Sequence, residues 1–86
     1  MINTLAGIDI RVEYFALFKA CTKKMEEAIH LDSSDANDLY SLLTTKYRFP
    51  IPKDRIHLEV NDEYSPWETP LKQGDRVVFI PTVSGG

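Results

Sequence analysis

The chain has 86 residues, 43% of them hydrophobic and 27% charged, which fits one small domain and argues against a large enclosed active site. A domain of this size buries only about 60% of the surface of its unfolded chain, so most apolar residues are needed for the core. Ten basic side chains stand against thirteen acidic ones without a run of either sign, which argues against nucleic acid or an anionic membrane as the main partner and favours proteins or neutral surfaces.

The first part of the chain predicts a strand, a short helix and a second strand. Residues 8–14 alternate between apolar and polar side chains, as is typical of a half-buried strand. Residues 15–24 change to helical spacing, with lysines toward the end, where cations suit the helix dipole. Residues 27–32 alternate again. The direction of this second strand stays open, although a short connection favours an antiparallel neighbour.

A longer helix follows and is the most distinct element of the sequence. Ser33 and Ser34 offer hydroxyl groups to a helix N-terminus, and Asp35 complements the positive end of the helix dipole. Apolar side chains then recur at three-to-four spacing, and two prolines beyond them prevent the helix from continuing. These apolar positions are Leu39, Leu42, Leu43 and Tyr47. The helix can therefore cover one face of a sheet.

The last part of the chain predicts two further strands. Residues 55–60 alternate, residues 61–62 are a turn candidate, and residues 63–73 carry two prolines and indicate an irregular segment or an edge. The run 77–80 is entirely apolar, which indicates a central strand buried on both faces. The order of elements predicts an α+β fold with a mixed sheet and one main covering helix. We expect the first and last strands to pair centrally and in parallel, which is the β-grasp arrangement.

Cysteine content and hydropathy indicate a cytoplasmic protein. Cys21 has no second cysteine with which to form an internal disulfide. The longest apolar stretches, 14–18 and 77–81, are far shorter than a signal peptide's apolar region or a membrane span.

Few groups in the sequence are of the kinds that build an active site. His30 and His57 lie on the polar side of predicted strands, so solvated positions are favoured over catalytic or metal-binding roles. Cys21 has no histidine close in sequence, and packing is favoured over a nucleophilic role. Glu26 and Glu27 are contiguous and are assigned to a solvated face. Trp67 lies in the irregular segment, where partial burial is favoured over an exposed partner contact.

The last ten residues carry no charged side chain. Pro81 lacks an N–H donor, so the last strand is expected to stop near Ile80 and to leave residues 81–86 as an extended tail. Six extended residues reach about 20 Å, which is enough to enter a pocket of another protein. Gly85 and Gly86 lack a Cβ and fit a narrow channel. The alternative at this point is an ordinary frayed terminus.

Three segments resemble the MoaD/ThiS family of ubiquitin-like sulfur carriers. The ending at residues 74–86, Gly-Asp-Arg-Val-Val-Phe-Ile-Pro-Thr-Val-Ser-Gly-Gly, is similar to the family's C-terminus and is the most specific of the three. Residues 10–16 resemble the family's opening strand and helix start, and residues 60–64 resemble the turn after its third strand. Within the family, the small subunits of molybdopterin synthases are the most similar. The resemblance extends from about residue 8 to the end.

This resemblance implies a co-substrate that other enzymes act upon. The carboxylate of Gly86 would be adenylated by an ATP-dependent enzyme related to ubiquitin-activating enzymes. A sulfurtransferase or a cysteine desulfurase would then supply the sulfur of a thiocarboxylate. Phe15 and Phe79, where exposed, would join the partner-binding surface. The tail residues expected to dock into the partner are Pro81, Thr82, Val83, Ser84 and Gly85.

The implied main partner is the large, catalytic subunit of molybdopterin synthase, in a heterotetramer with two copies of the small subunit. The thiocarboxylate would donate sulfur to the cyclic pyranopterin precursor in molybdenum cofactor biosynthesis. No cofactor is expected to be bound permanently, since ATP is used by the activating enzyme. The alternatives are a sulfur carrier for thiamin or tRNA thiolation, a tungsten-cofactor pathway, a ubiquitin-like modifier conjugated through Gly86, and an interaction domain with an inert terminus.

Overall fold

The computed structural model describes residues 7–82 as five strands, two α-helices and one 3-10 turn. The strands are β1 (Ile8–Glu13), β2 (Glu26–Leu31), β3 (Ile56–Val60), β4 (Glu63–Ser65) and β5 (Arg76–Pro81). The helices are α1 (Ala16–Thr22) and α2 (Ala36–Tyr47), and the 3-10 turn spans Lys53–Arg55. None of the helices in this part of the chain is both long and apolar enough to cross a membrane.

The five strands form one mixed sheet in the order β2-β1-β5-β3-β4. β1 and β5 lie at its centre and run parallel, with Glu13 opposite Val78. β2 is antiparallel to β1 along its whole length, and β3 is antiparallel to β5. The predicted β-grasp sheet and its parallel central pair are confirmed, and the direction of β2, which the sequence left open, is antiparallel.

The middle of β5 is buried on both faces of the sheet. Val77 and Phe79 are 0% and 1% exposed on the side covered by α2, and Val78 on the opposite side is 6% exposed. This confirms the expectation drawn from the unbroken apolar run. β4 is the short edge strand expected of a segment with prolines, and it follows a tight turn in which Asn61 and Asp62 have φ values of 53° and 70°.

Helix α2 packs one face against the sheet. Asp35 is its N-cap, and its side chain accepts a hydrogen bond of 2.8 Å from the backbone N–H of Asn37. Leu39 and Leu43 are fully buried, but Leu42 is 45% exposed, which corrects the predicted apolar stripe. The buried arc follows the positions 36, 39, 40 and 43, and Leu42 falls beyond its border.

An aromatic cluster fills the space between α1, α2 and the sheet. Its rings belong to Tyr14, Phe18, Tyr40, Phe49, Trp67 and Phe79. Trp67 stacks on Phe79 with ring centroids 6.0 Å apart, and its indole N–H donates to the carbonyl oxygen of Ile56 at 3.3 Å. The predicted partial burial of Trp67 is confirmed. The contact fastens the loop after β4 onto the core, close to the start of β3.

Candidate functional site

The C-terminal tail leaves the domain from its most buried strand. β5 is held by β1 on one side and by β3 on the other. Its residues pair with β3 from Val77 opposite Val60 to Pro81 opposite Ile56. A central strand with two neighbours resists local opening. The sheet therefore gives the tail a fixed base.

The last strand ends one residue beyond Ile80. Pro81 still belongs to β5, and Thr82 is tied to β3 because its N–H and its hydroxyl group both donate to the carbonyl oxygen of Arg55, at 2.9 and 3.0 Å. The expectation that the strand stops near Ile80 is confirmed to within one residue, since β5 ends at Pro81. The Pro81–Ile56 pair lies where antiparallel strands exchange no hydrogen bonds, so the missing proline N–H costs nothing on the β3 side.

The predicted tail residues therefore divide into two groups. Pro81 and Thr82 are half-buried and belong to the base of the tail. The other tail predictions, Val83, Ser84, Gly85 and Gly86, lie outside the described residues. Their docking and chemical roles stay predictions.

An apolar hollow lies at the same end of the sheet as the base of the tail. Phe15 and Met25, which are 55% and 70% exposed, line it together with Lys19. Glu13 and Glu26 form the border toward the sheet. Because Glu13 pairs with Val78 in the parallel β1–β5 register, Phe15 lies at about the level of Ile80, next to the base of the tail.

Exposure separates the two phenylalanines that the sequence assigned to a partner surface. Phe15 meets the condition of exposure, and its contact with a partner stays a prediction. Phe79 is only 1% exposed because it points into the aromatic cluster, so its assignment to the surface was wrong. Met25 was missed by sequence reasoning. Its backbone carbonyl accepts from Tyr14 N–H at 2.9 Å, which extends the β1–β2 ladder and leaves the thioether side chain facing solvent.

A backbone feature accompanies the exposed ring of Phe15. Ala16, the next residue, has a φ of 48°, in the left-handed region that residues with a Cβ rarely occupy. Phe15 itself is extended and acts as the N-cap of α1. Such strain is characteristic of positions where the chain is held for a purpose other than local stability. Here it coincides with the exposed ring of Phe15 beside the base of the tail.

The open face of the sheet continues this surface across β5 toward the β4 edge. Ile80 is half-buried, and His57 lies opposite it on β3. The imidazole ring of His57 packs against the ring of Tyr64 at a centroid distance of 4.5 Å, and Tyr64 is 66% exposed. Apolar and aromatic side chains thus flank the base of the tail on both sides. We call Phe15, Met25, Ile80 and Tyr64 the tail-flanking surface.

Comparison with known proteins places this architecture in a family. The family model described as the ThiS family matches residues 12–86. The chain belongs to the ThiS family. It is 35% identical over 82 residues to the molybdopterin synthase sulfur carrier subunit of Mycobacterium tuberculosis, which covers 92% of this chain and 99% of that subunit.

Solved structures agree with this family membership. A proposed molybdopterin converting factor subunit 1 from Pyrococcus furiosus superimposes with a TM-score of 0.75 and 28% identity, covering 88% of this chain and 99% of that one. A chain in the complex of subunits 1 and 2 of molybdopterin-converting factor from Helicobacter pylori superimposes with a TM-score of 0.61 and 26% identity. That match covers 92% of this chain and 100% of the other.

The other candidate groups of this ThiS-family chain lie apart from the tail or inside the packing. The imidazole of His30 is exposed and pairs with Asp9 at 2.9 Å and with Asp32 at 3.4 Å. Cys21 is half-buried and packs against the core. Within residues 7–82, no group of three or more histidine, cysteine or acidic side chains is arranged to hold a metal ion.

One carboxylate of this ThiS-family chain departs from the prediction of a solvated face. The side chain of Glu27 is only 12% exposed, and it accepts hydrogen bonds from Tyr14 at 2.8 Å and from Tyr47 at 2.7 Å. The ammonium groups of Lys24 and Lys46 each approach it at 3.1 Å. The assignment of Glu27 to a solvated face was wrong, whereas Glu26 is exposed and pairs with Arg11.

The surroundings of Glu27 decide its protonation state. Burial alone would raise the pKa of its carboxyl group, but hydrogen bonds from Tyr47, Tyr14 and the two lysines outweigh burial and lower the pKa from 4.5 to about 2. For Tyr14, burial and then the Glu27 carboxylate raise the pKa of the phenol well above its usual range. Glu27 therefore stays charged at neutral pH and joins β1, β2 and α2 beneath the tail end of the domain.

Proposed function

We propose that this chain is the sulfur carrier subunit of a molybdopterin synthase. The observation that carries the proposal is the 35% identity to the Mycobacterium tuberculosis sulfur carrier subunit across 99% of that protein's length. The fold supports it, because the central strand β5 ends in a tail that finishes with Gly85 and Gly86. A narrow, uncharged tail of this kind suits a reagent carried into another protein's active site.

In the proposed reaction, the carboxylate of Gly86 is the reacting group. One carboxylate oxygen attacks the α-phosphorus of ATP in an adenylating enzyme, and pyrophosphate leaves. The acyl adenylate has a good leaving group, which a carboxylate lacks. Sulfur in the oxidation state of sulfide then attacks the acyl carbon and AMP leaves, so that a thiocarboxylate remains. When a sulfurtransferase or cysteine desulfurase delivers the sulfur as a persulfide, a thiol must reduce the acyl disulfide that forms first.

The proposed acceptor is the cyclic pyranopterin precursor of the molybdenum cofactor. The thiocarboxylate sulfur attacks a precursor carbon and displaces an oxygen substituent, so that a carbon–sulfur bond replaces a carbon–oxygen bond and the oxygen group leaves. Hydrolysis of the resulting thioester leaves the sulfur on the pterin and restores the Gly86 carboxylate. The described residues need to supply no acid or base for these steps, since the partner enzymes surround the reacting atoms. Two transfers complete the dithiolene group.

The proposed main partner is the large subunit of the synthase. The structural relative from Helicobacter pylori was solved as a complex of subunits 1 and 2, which supports such a pairing. We propose that the tail-flanking surface contacts the large subunit, because it places exposed apolar groups around the point where the tail enters the partner. Two such pairs would form a heterotetramer.

Mass spectrometry of the intact chain tests the proposed function. Incubation with the adenylating enzyme of the same organism, ATP and a sulfur donor is expected to add about 16 Da, from the exchange of one oxygen for sulfur in the covalent intermediate. A reaction without ATP serves as the control. Addition of the large subunit and the precursor is expected to remove the added mass. An unchanged mass, or isopeptide adducts on lysines in its place, would contradict the proposal.

Truncation of Phe15 tests the docking part of the proposal. Phe15→Ala is expected to weaken binding to the large subunit about tenfold, because exposed aromatic rings at the centre of an interface contribute about 1 to 2 kcal/mol each. Leu42→Ala is the matched control, since Leu42 is 45% exposed on α2 and lies outside the tail-flanking surface. Titration calorimetry gives both affinities. Equal affinities for the two variants would remove Phe15 from the interface.

A further inference from the structure

Five of the ten basic side chains of this protein lie around the C-terminal ends of α1 and α2, at the tail end of the domain. They do not form one basic run in the sequence, although Lys23 and Lys24 are adjacent. The fold brings them together from α1 and the segment after it and from the C-terminal end of α2. We call them the basic end. Its members are Lys19, Lys23, Lys24, Lys46 and Arg48.

The positions of the two helix C-termini create the basic end. Lys23 is the C-cap of α1 and Arg48 is the C-cap of α2, both with left-handed backbones, at φ values of 60° and 59°. Lys24 and Lys46 meet at the carboxylate of Glu27, where each ammonium group lies 3.1 Å from the same oxygen. The two helix ends are thereby fixed next to each other. Cations at helix C-termini are favourable, since they oppose the negative end of the dipole.

Nearby carboxylates do not cancel this charge. Glu27 neutralises one of the five cations. Glu13 and Glu26, the acidic groups on the sheet side, pair with Arg76 and Arg11, which do not belong to the basic end. The basic end therefore carries a net charge of about +4 in a chain of net charge -3. The two helix dipoles offset about one unit of it.

The remaining charges make the molecule strongly asymmetric. Of the thirteen acidic side chains of the sequence, Glu27 is the one paired with the basic end, and Glu13 and Glu26 border the neighbouring hollow and are paired with Arg76 and Arg11. Lys19, Lys23 and Arg48 are exposed and form no ion pair among residues 7–82. Lys19 also lines the apolar hollow of Phe15 and Met25. The basic end is thus continuous with the tail-flanking surface.

We propose that the basic end docks against an acidic surface of the partner protein that receives the tail, and that it steers the tail toward that partner. The inference rests on the proposed function, which supplies a partner that accepts the tail. The inference adds that this partner presents an acidic surface. A one-sided field of this size accelerates association by long-range attraction and orients the approaching chain. The base of the tail, Pro81 and Thr82, and the basic end lie at the same end of the domain, so the field orients the chain with this end toward the partner.

An acidic protein surface fits the observations better than a nucleic acid or a membrane. The basic end borders an exposed apolar hollow lined by Phe15 and Met25, which matches a protein interface with an apolar centre and a charged rim. Lys24 and Lys46 are already paired with Glu27. The acidic remainder of the chain would be repelled by an extended polyanion or an anionic bilayer.

Association kinetics with two variants of equal net charge test the inference. The test variant is Lys19→Gln with Lys23→Gln, and the control is Lys53→Gln with Lys72→Gln, whose cations lie outside the basic end. Stopped-flow association with the large subunit, and separately with the adenylating enzyme, is measured at about 0.01 M and about 1 M salt, where the Debye lengths are about 30 Å and 3 Å.

The expected result is an association rate constant at least about threefold lower for the test variant at low salt, with the control close to the original chain. The difference is expected to vanish at high salt, while the final gain in mass with excess enzyme stays unchanged. Equal slowing of both variants, no dependence on salt with either partner, or tighter binding to anionic vesicles than to either protein would overturn the inference. Failure of the original chain to gain mass would instead overturn the proposed function, and this inference with it.

Discussion

Deletion of Gly86 is expected to abolish sulfur transfer and to leave the fold unchanged. The deletion moves the terminal carboxylate back by one residue, or about 3.5 Å along an extended chain. A reacting group displaced by about 1 Å already loses about 100-fold in rate. The base of the tail is unaffected, because Thr82 remains bonded to the carbonyl oxygen of Arg55. The gain in mass and the formation of molybdopterin in a reconstituted assay both report the loss.

Two further variants separate length from composition. An alanine added after Gly86 moves the terminal carboxylate forward by one residue, and this variant is expected to be equally inactive. Ser84→Ala keeps the length of the tail and is expected to retain most of the activity. Unfolding in urea should give the same midpoint for all of these chains. Molybdopterin formation by the chain without Gly86 would contradict the proposed chemistry.

Glu27→Gln is expected to lower the stability of the protein. Among Asp→Asn and Glu→Gln substitutions within residues 7–82, we expect it to have the largest effect. The ordinary pKa of 4.5 is lowered to about 2 in the folded protein, and one pKa unit corresponds to about 1.4 kcal/mol. Because Lys24 and Lys46 are about half exposed and partly screened by water, we expect a loss of about 2 to 3 kcal/mol in the free energy of unfolding. Urea unfolding at neutral pH measures it.

The dependence on pH gives a second readout for Glu27. The folded state has the lower pKa, so the stabilisation is complete above about pH 4.5 and is lost as the pH falls toward about 2. The stability difference between the original chain and Glu27→Gln should therefore shrink over that range. Glu26→Gln is the matched control, since Glu26 is about half exposed and, within residues 7–82, forms its ion pair with Arg11 alone, at the surface. Equal losses for Glu26 and Glu27 would contradict the buried network.

Local patterns in the sequence determined the elements and most of the topology. Alternation marked β1, β2 and β3, helical spacing marked α2, and the apolar run 77–80 identified the central strand. These patterns repeat every two residues in a strand and every three to four residues in a helix, so they can be identified directly in the sequence. The terminal Gly-Gly is likewise a property of the sequence, and it indicated the candidate site without any structure.

The tertiary structure decided which side chains belong to the surface. Phe15 and Phe79 are equally apolar in the sequence, yet only Phe15 is exposed, because Phe79 faces α2 and the rings packed beneath it. The end of β5 is a similar case. Whether Pro81 interrupts the ladder depends on the register with β3, and no property of the residue itself specifies that register.

Charge shows the same division between sequence and structure. The composition gives a net charge of -3 and no basic run. From this the sequence alone indicates that nucleic acid and anionic membranes are not favoured as the main partner. The structure brings the ends of α1 and α2 together around Glu27, whose partners Tyr14 and Tyr47 are 13 and 20 residues away. Electrostatic interactions depend on distance in space, and only the fold sets distances between residues so far apart in the chain.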